Sequence, residues 1–224
     1  MPQAGMHGIV GVYTRRWVPR RDWLFLGMVL GVIFPDLDNI AVAVATLTKK
    51  STEGLHRTFT HSLFMILAVL VVFYLVAALT KQGRWRSLGF GLAIGIGIHI
   101  LMDLVAWFNG VELLWPIRYE LNFWAWYTPP EWVSKLLDTG EFLFFGLYFG
   151  YLLSVARRST TDTGYLSRLR FWMIAQYVLF VLVTVLAFTM GAGYFTLFGG
   201  LYLLSLILAF GVSIRMRETI ETLA

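Results

Sequence analysis

The sequence predicts an all-α, polytopic membrane helix bundle of about six spans, the first of them interrupted near Pro35. Three observations carry this. The 224 residues are 58% hydrophobic and only 14% charged, where a soluble domain carries roughly a quarter charged residues. The apolar residues gather into runs close to the ~20 residues that cross the hydrocarbon layer as a helix. The basic residues, which give a formal charge of +5, sit in short clusters between those runs. That is the pattern of loops beside anionic lipid, and no nucleic-acid binding is expected from it.

Taken in order, the first run covers residues 23–47 and spans only if it continues through Pro35-Asp36-Leu37-Asp38-Asn39. Irregular backbone is tolerated at membrane depth where it lines a protein cavity, so a kinked or broken helix is expected there. Residues 62–79, 88–108, 141–156, 171–190 and 194–214 supply the other five spans. A membrane-embedded core over residues 1–120 should carry the chemistry, with residues 121–224 continuing the same bundle. No cleavable signal peptide is evident, and the first helix is expected to act as its own insertion signal. The absence of cysteine excludes thiolate metal sites, disulfides and cysteine nucleophiles.

Six spans put Arg15, Arg16, Arg20, Arg21, Lys81, Arg84, Arg86, Arg157, Arg158, Arg168, Arg170, Arg215 and Arg217 on one side, 13 of the 18 Lys and Arg residues. By the positive-inside rule that side is the cytoplasm. The opposite side receives Lys49, Lys50, Arg57 and a long connection over residues 109–139 with aromatic residues suited to the headgroup level. A prokaryotic plasma membrane is the expected location.

Against this background a few ionisable residues stand out. A carboxylate at the bilayer centre costs at least ~2.5 kcal/mol, so its presence calls for a partner or a metal. His99 and Asp103 are four residues apart in I-H-I-L-M-D and share one helical face. Imidazole plus carboxylate at that spacing suits zinc or another divalent ion, or else a His–Asp hydrogen bond that neutralises both groups. Gly91, Gly95 and Gly97 precede them and read as a close helix-packing surface.

Asp36 and Asp38 in F-P-D-L-D-N fit either the start of a helix behind Pro35 or a pair of metal ligands. His56 and His61 in H-R-T-F-T-H-S are five apart, off a common helical face. A loop ending at a helix start, with Thr60 as its cap, would turn both rings inward. Arg57 suits a phosphate through its planar fork, or a lipid headgroup. His7 reads as a lone exposed histidine in a short cytoplasmic leader.

In this order the clusters resemble the YdjM-type family of membrane-bound metal-dependent hydrolases. The match runs from His7 through P-D-L-D, H-R-T-F-T-H-S and H-I-L-M-D to G-V-E-L-L-W-P at 110–116, about the first 120 residues. The family is distantly similar to zinc phospholipases C and zinc-dependent single-strand nucleases. The resemblance implies ligands among Asp36, Asp38, His56, His61, His99, Asp103 and His7 for one to three divalent ions, zinc first. It also implies a phosphoester substrate; the mechanism expected is hydrolysis of a lipid-linked or membrane-proximal ester by metal-activated water, with a non-ligating acid of the Asp36/Asp38 pair as base and Arg57 on the phosphate. Many members carry His after P-D-x-D, where this chain has Asn39.

Rival chemistries fit less well. The chain lacks the H-E-x-x-H of zinc proteases, the P-S-G-H that accompanies H-x3-D in one class of lipid phosphatase, and the G-x-S-x-G serine elbow. A cation or proton carrier would use the same His and Asp residues, yet residues 88–98 offer only Gly, aliphatic and aromatic side chains. A non-catalytic membrane scaffold is the third reading.

Overall fold

The structure, a computed structural model, describes residues 4–191 and 193–222. Among the described residues, six helical stretches are long and apolar enough to cross a membrane: Leu24–Leu47, Leu63–Thr80, Gly83–Ala106, Glu131–Ser159, Thr163–Thr189 and Tyr194–Arg215. Helix count and class agree with the sequence. The chain divides into two compact units, residues 11–128 and residues 1–10 with 129–224.

In the unit of residues 11–128, α2 (Leu24–Ile33) is the central element, with all ten residues buried. It passes through a 3-10 turn at Phe34–Asp38 into α3 (Asn39–Leu47). This is the expected interruption, and Pro35 is its cause, since a proline N1 position has no N–H to continue the ladder. α4 (Leu63–Thr80) has 6% of its best apolar window buried, which makes it an outer helix facing lipid. α5 (Gly83–Ala106) completes the unit.

Glycines set the approach of α2 to α5. A Cβ at Gly27 would strike the Leu88 carbonyl oxygen, and one at Gly31 the Leu92 carbonyl. In return, Gly91 faces the Leu24 carbonyl and Gly95 the Met28 carbonyl. Two G-x3-G faces therefore interlock backbone to backbone, as small residues permit in membranes. Gly97 lies off this seam, where an added methyl would meet only Ile66 Cδ1, at 3.9 Å.

Three boundaries differ from expectation. The helix of the fifth span begins at Leu166 rather than 171. α5 begins at Gly83 rather than 88, because its polar and aromatic first turn is helical yet invisible to a count of apolar residues. α6 (Glu131–Ser159) begins ten residues earlier than expected, directly after Pro129-Pro130. The connection expected over 109–139 is therefore shorter, and Trp132 belongs to the helix.

The other unit contains α6, α7 (Leu166–Thr189), α8 (Tyr194–Arg215), the short α9 (Arg217–Thr222) and the start of α1 (Ala4–Tyr13). Its core is aromatic: Phe142 lies edge-on to Phe198 at 5.8 Å, and Phe198 stacks on Tyr202 at 6.1 Å. The Tyr148 hydroxyl pairs with Ser213 Oγ at 2.7 Å. The Gly5 amide donates to Glu141 Oε2 at 2.8 Å, and a Cβ at Gly5 would meet Glu141 and Phe145 backbone. The N-terminal segment is thus a helix packed on α6, not an exposed leader. His7 is fully buried on it, which corrects the expectation of an exposed histidine.

Candidate metal centre

Three segments of the unit of residues 11–128 supply the polar cluster. The 3-10 turn gives Asp36 and Asp38, the loop before α4 gives His56, Arg57, Thr60 and His61, and α5 gives His99 and Asp103. His61, His99, Asp103 and Asp36 are buried, none more than 3% exposed.

Hydrogen bonds fix which ring nitrogens carry protons. His99 Nδ1 donates to the Val32 carbonyl at 2.8 Å. That carbonyl lies three residues before Pro35, which has no N–H for it. The neutral His99 ring then bears its lone pair on Nε2. Thr60 Oγ1 donates its single proton to Asp38 Oδ2 at 2.7 Å, so at 2.9 Å it accepts from His61 Nδ1. Neutral His61 likewise presents an Nε2 lone pair. The two Nε2 atoms face each other at 3.0 Å. Two lone pairs at that distance repel unless a proton or a metal cation lies between them.

Carboxylates complete the set. Asp103 Oδ2 is 3.5 Å from His61 Nε2 and 3.7 Å from His99 Nε2. Asp36 Oδ1 is 3.9 Å from His99 Nε2. Zinc–ligand distances of about 2.0–2.2 Å place tetrahedral ligand atoms about 3.3–3.6 Å apart. The separations among His61, His99 and Asp103 bracket that value and would suit one divalent ion, with Asp36 as a further neighbour of the two histidines. Ligand atoms of Asp36, His61 and His99 lie together, as do those of Asp38, His56 and His61.

Asp38 is differently engaged. Its Oδ1 meets His56 Nδ1 at 2.6 Å, and its Oδ2 accepts from Thr60 and from the Arg57 amide at 3.2 Å. His61 Nδ1 is a further 3.3 Å neighbour. With Asn39 Nδ2, which donates to Oδ1 at 3.4 Å, five N–H and O–H groups surround one carboxylate. His56 is the more open edge, its side chain 20% exposed. Among the described residues its Nε2 is buried without a hydrogen-bond partner. Asn39 donates to the Asp36 carbonyl at 2.9 Å and braces the turn.

Arg57 is buried with φ +60°, a conformation that strains a non-glycine residue. Its backbone is held at both ends, by Asp38 and by the Glu112 amide at 2.9 Å. Its guanidinium donates from Nη1 to the Asn109 carbonyl at 2.9 Å and sits 3.5 Å from Asp103 through Nε. Three carboxylates against one guanidinium leave two net negative charges when the histidines are neutral, which one divalent cation neutralises.

The 110–116 segment clamps the histidine loop. Val111 and Leu121 form an antiparallel bridge, Leu113 accepts from the Leu63 amide at 3.0 Å, and Trp115 packs edge-on to Phe59 at 4.9 Å. Thr60 is not the helix cap. Ser62 is, its Oγ accepting from the Met65 amide at 3.2 Å, because the Thr60 hydroxyl is committed to Asp38. The Thr60, Val32 and Asn109 contacts were not expected. Thr60 could have been singled out as a hydroxyl beside a candidate ligand, whereas the two carbonyls leave no side-chain signal. His7 lies in the other unit.

Comparison with known proteins agrees with the motif order. The family described as YdjM inner membrane protein matches residues 4–194, further than the 120 residues that the motifs cover. Inner membrane protein YdjM of Escherichia coli (strain K12) is 30% identical over 110 residues, 45% of this chain and 54% of its own. Uncharacterized protein YvsG of Bacillus subtilis (strain 168) is 31% identical over 99 residues, 44% of this chain and 56% of its own. The chain spans about half the length of the curated relatives it matches. No solved structure matches. With the family match running through α7, the chain belongs to the YdjM inner membrane protein family.

Proposed function

We propose that this protein is a multi-pass inner-membrane hydrolase that uses a divalent metal, zinc first, to cleave a phosphoester or related ester of a lipid or membrane-proximal substrate. The observation that carries the reading is the 3.0 Å approach of the His61 and His99 Nε2 atoms, whose other nitrogens are committed as donors. A divalent ion there supplies Lewis acidity and a water whose pKa is lowered to about 7.

The chain's own groups divide the work. His61, His99, Asp103 and Asp36 present ligand atoms. Asp38, surrounded by five N–H and O–H groups, orients His56 and His61, the role carboxylates take behind metal-bound histidines. Asp36 serves either as a ligand or, held off the ion, as the base. Arg57 balances Asp103 and supplies positive charge where a phosphoryl oxygen would approach. His56 offers the open edge for substrate or a second ion, and His7 is a further ligand that the family resemblance implies. With the basic clusters inside, the site lies near the extracytoplasmic face.

The facing Nε2 atoms would also accommodate a shared proton, which favours a proton or cation carrier as the second reading. Against it, residues 88–98 of α5 offer only glycine, aliphatic and aromatic side chains, with Gly91 and Gly95 packed against α2. The deciding experiment is metal analysis of the purified full-length protein, followed by release of phosphate or headgroup from a lipid panel with and without chelator. Metal-free protein that moves protons in liposomes would replace the hydrolase reading with the carrier.

A further inference from the structure

A cavity of about 530 Å³ opens on the unit of residues 11–128 at the end far from the metal centre, between the start of α2, the second half of α4 and the start of α5. Along α5, Ser87 on its rim precedes His99 by twelve residues, about 18 Å of helix. The two sites therefore do not share residues.

Its walls are of two kinds. Leu24, Leu70, Val71, Leu75 and Phe90 form an apolar trough, with Val71, Leu75 and Phe90 about half exposed. Arg21, Arg86, Ser87 and Tyr74 bring polar groups to the same cavity. Among the described residues no carboxylate lies within ion-pair distance of Arg21 or Arg86. Their neighbour Arg84 is used differently, stacked over Trp23 at 5.1 Å and Trp85 at 5.6 Å. Trp23 and Trp85 meet edge to face at 5.6 Å, and such aromatic pairs mark the headgroup level of a bilayer. A second cavity of about 280 Å³ shares Tyr74 and Arg86 and adds Lys81.

An apolar trough capped by two guanidinium groups at headgroup depth matches one kind of occupant. We propose that this groove retains one anionic glycerophospholipid of the basic leaflet. Its acyl chain lies along α4 and its phosphodiester is held by Arg21 and Arg86. Planar guanidinium forks pair with phosphate oxygens, while a zwitterionic headgroup carries its own cation and gains less from them. The site is a lipid-binding site separate from the hydrolytic one.

The test uses the full-length protein, stripped of lipid in neutral detergent, then given phosphatidylglycerol or phosphatidylcholine and weighed by native mass spectrometry. One phosphatidylglycerol should be retained, at least tenfold more strongly than phosphatidylcholine. Arg21→Gln with Arg86→Gln should lower that affinity about thirty-fold, as expected for two surface cations near anionic lipid. Val71→Trp, on the lipid-facing surface, should block the trough with both arginines intact. Circular dichroism and monodisperse elution verify that the variants fold. Equal retention of the two lipids, an unchanged arginine variant, or an unchanged Val71→Trp variant would each overturn the proposal.

Discussion

His61 and His99 come from elements 38 residues apart, yet their Nε2 atoms stand 3.0 Å from each other, each ring held by its opposite nitrogen. Such a pair is stable only with a positive charge between the rings. Replacing His99 or Asp103 by alanine should therefore reduce bound metal at least tenfold, read by elemental analysis of the purified protein. An Asp103→Ala protein with the wild-type metal content would sink the assignment.

Asp38 should behave differently from these four. Its oxygens already accept from His56, Thr60 and the Arg57 amide. Loss of an orienting partner costs roughly 10–100-fold in metal affinity rather than the site itself. Asp38→Asn should accordingly still bind metal, but weakly, in a competition titration against a chelator. If Asp38→Asn were as metal-free as His99→Ala, Asp38 would be a ligand.

Much of this centre is legible in the sequence, and the reason is local geometry. His99 and Asp103 lie one helical turn apart, so spacing alone puts them on one face, and Pro35 announces the break that carries Asp36 and Asp38. What spacing cannot encode is the partner from elsewhere. The Val32 carbonyl reaches His99 across 67 residues, and a backbone oxygen has no letter of its own. Likewise Gly91 and Gly95 are recognisable as a packing face, but their counterpart at Gly27 and Gly31 emerges only when the helices meet. Glu141, buried at 0% exposure in α6, escapes notice because an acid at the edge of an apolar run looks like a boundary.

The glycine seam gives a packing prediction. A side chain at Gly95 would collide with the Met28 carbonyl and the Gly31 backbone. Backbone cannot swing aside as a flexible side chain can, so Gly95→Leu should cost at least the ~1–3 kcal/mol typical of overpacking. It should also part α2 from α5, lowering both melting temperature and metal content. Gly97→Ala, off the seam, should leave both unchanged. A neutral Gly95→Leu would mean that the helices do not touch there.

Arg57 and the proposed metal would share one task, compensation of the buried Asp103 charge. Stripping one partner from a buried ion pair costs roughly 3–5 kcal/mol when nothing replaces it. Arg57→Ala should therefore be strongly destabilised in chelator and substantially rescued by added divalent metal, a larger metal-dependent rise in melting temperature than wild type shows. An equal rise in both proteins would separate Arg57 from the centre.

The face on which the centre lies can be read by labelling, because the chain has no cysteine to remove. Ser51 sits in the exposed loop that leads to His56, and Gln82 in the exposed turn between α4 and α5. These loops border opposite ends of α4, so in a spanning helix they occupy opposite sides of the membrane. The basic clusters assign the Gln82 side to the cytoplasm. A membrane-impermeant maleimide should thus modify Ser51→Cys when it has access to the extracytoplasmic face alone, and Gln82→Cys only after permeabilisation. The reverse pattern would put the candidate metal centre on the cytoplasmic face, and with it any substrate of the proposed hydrolase.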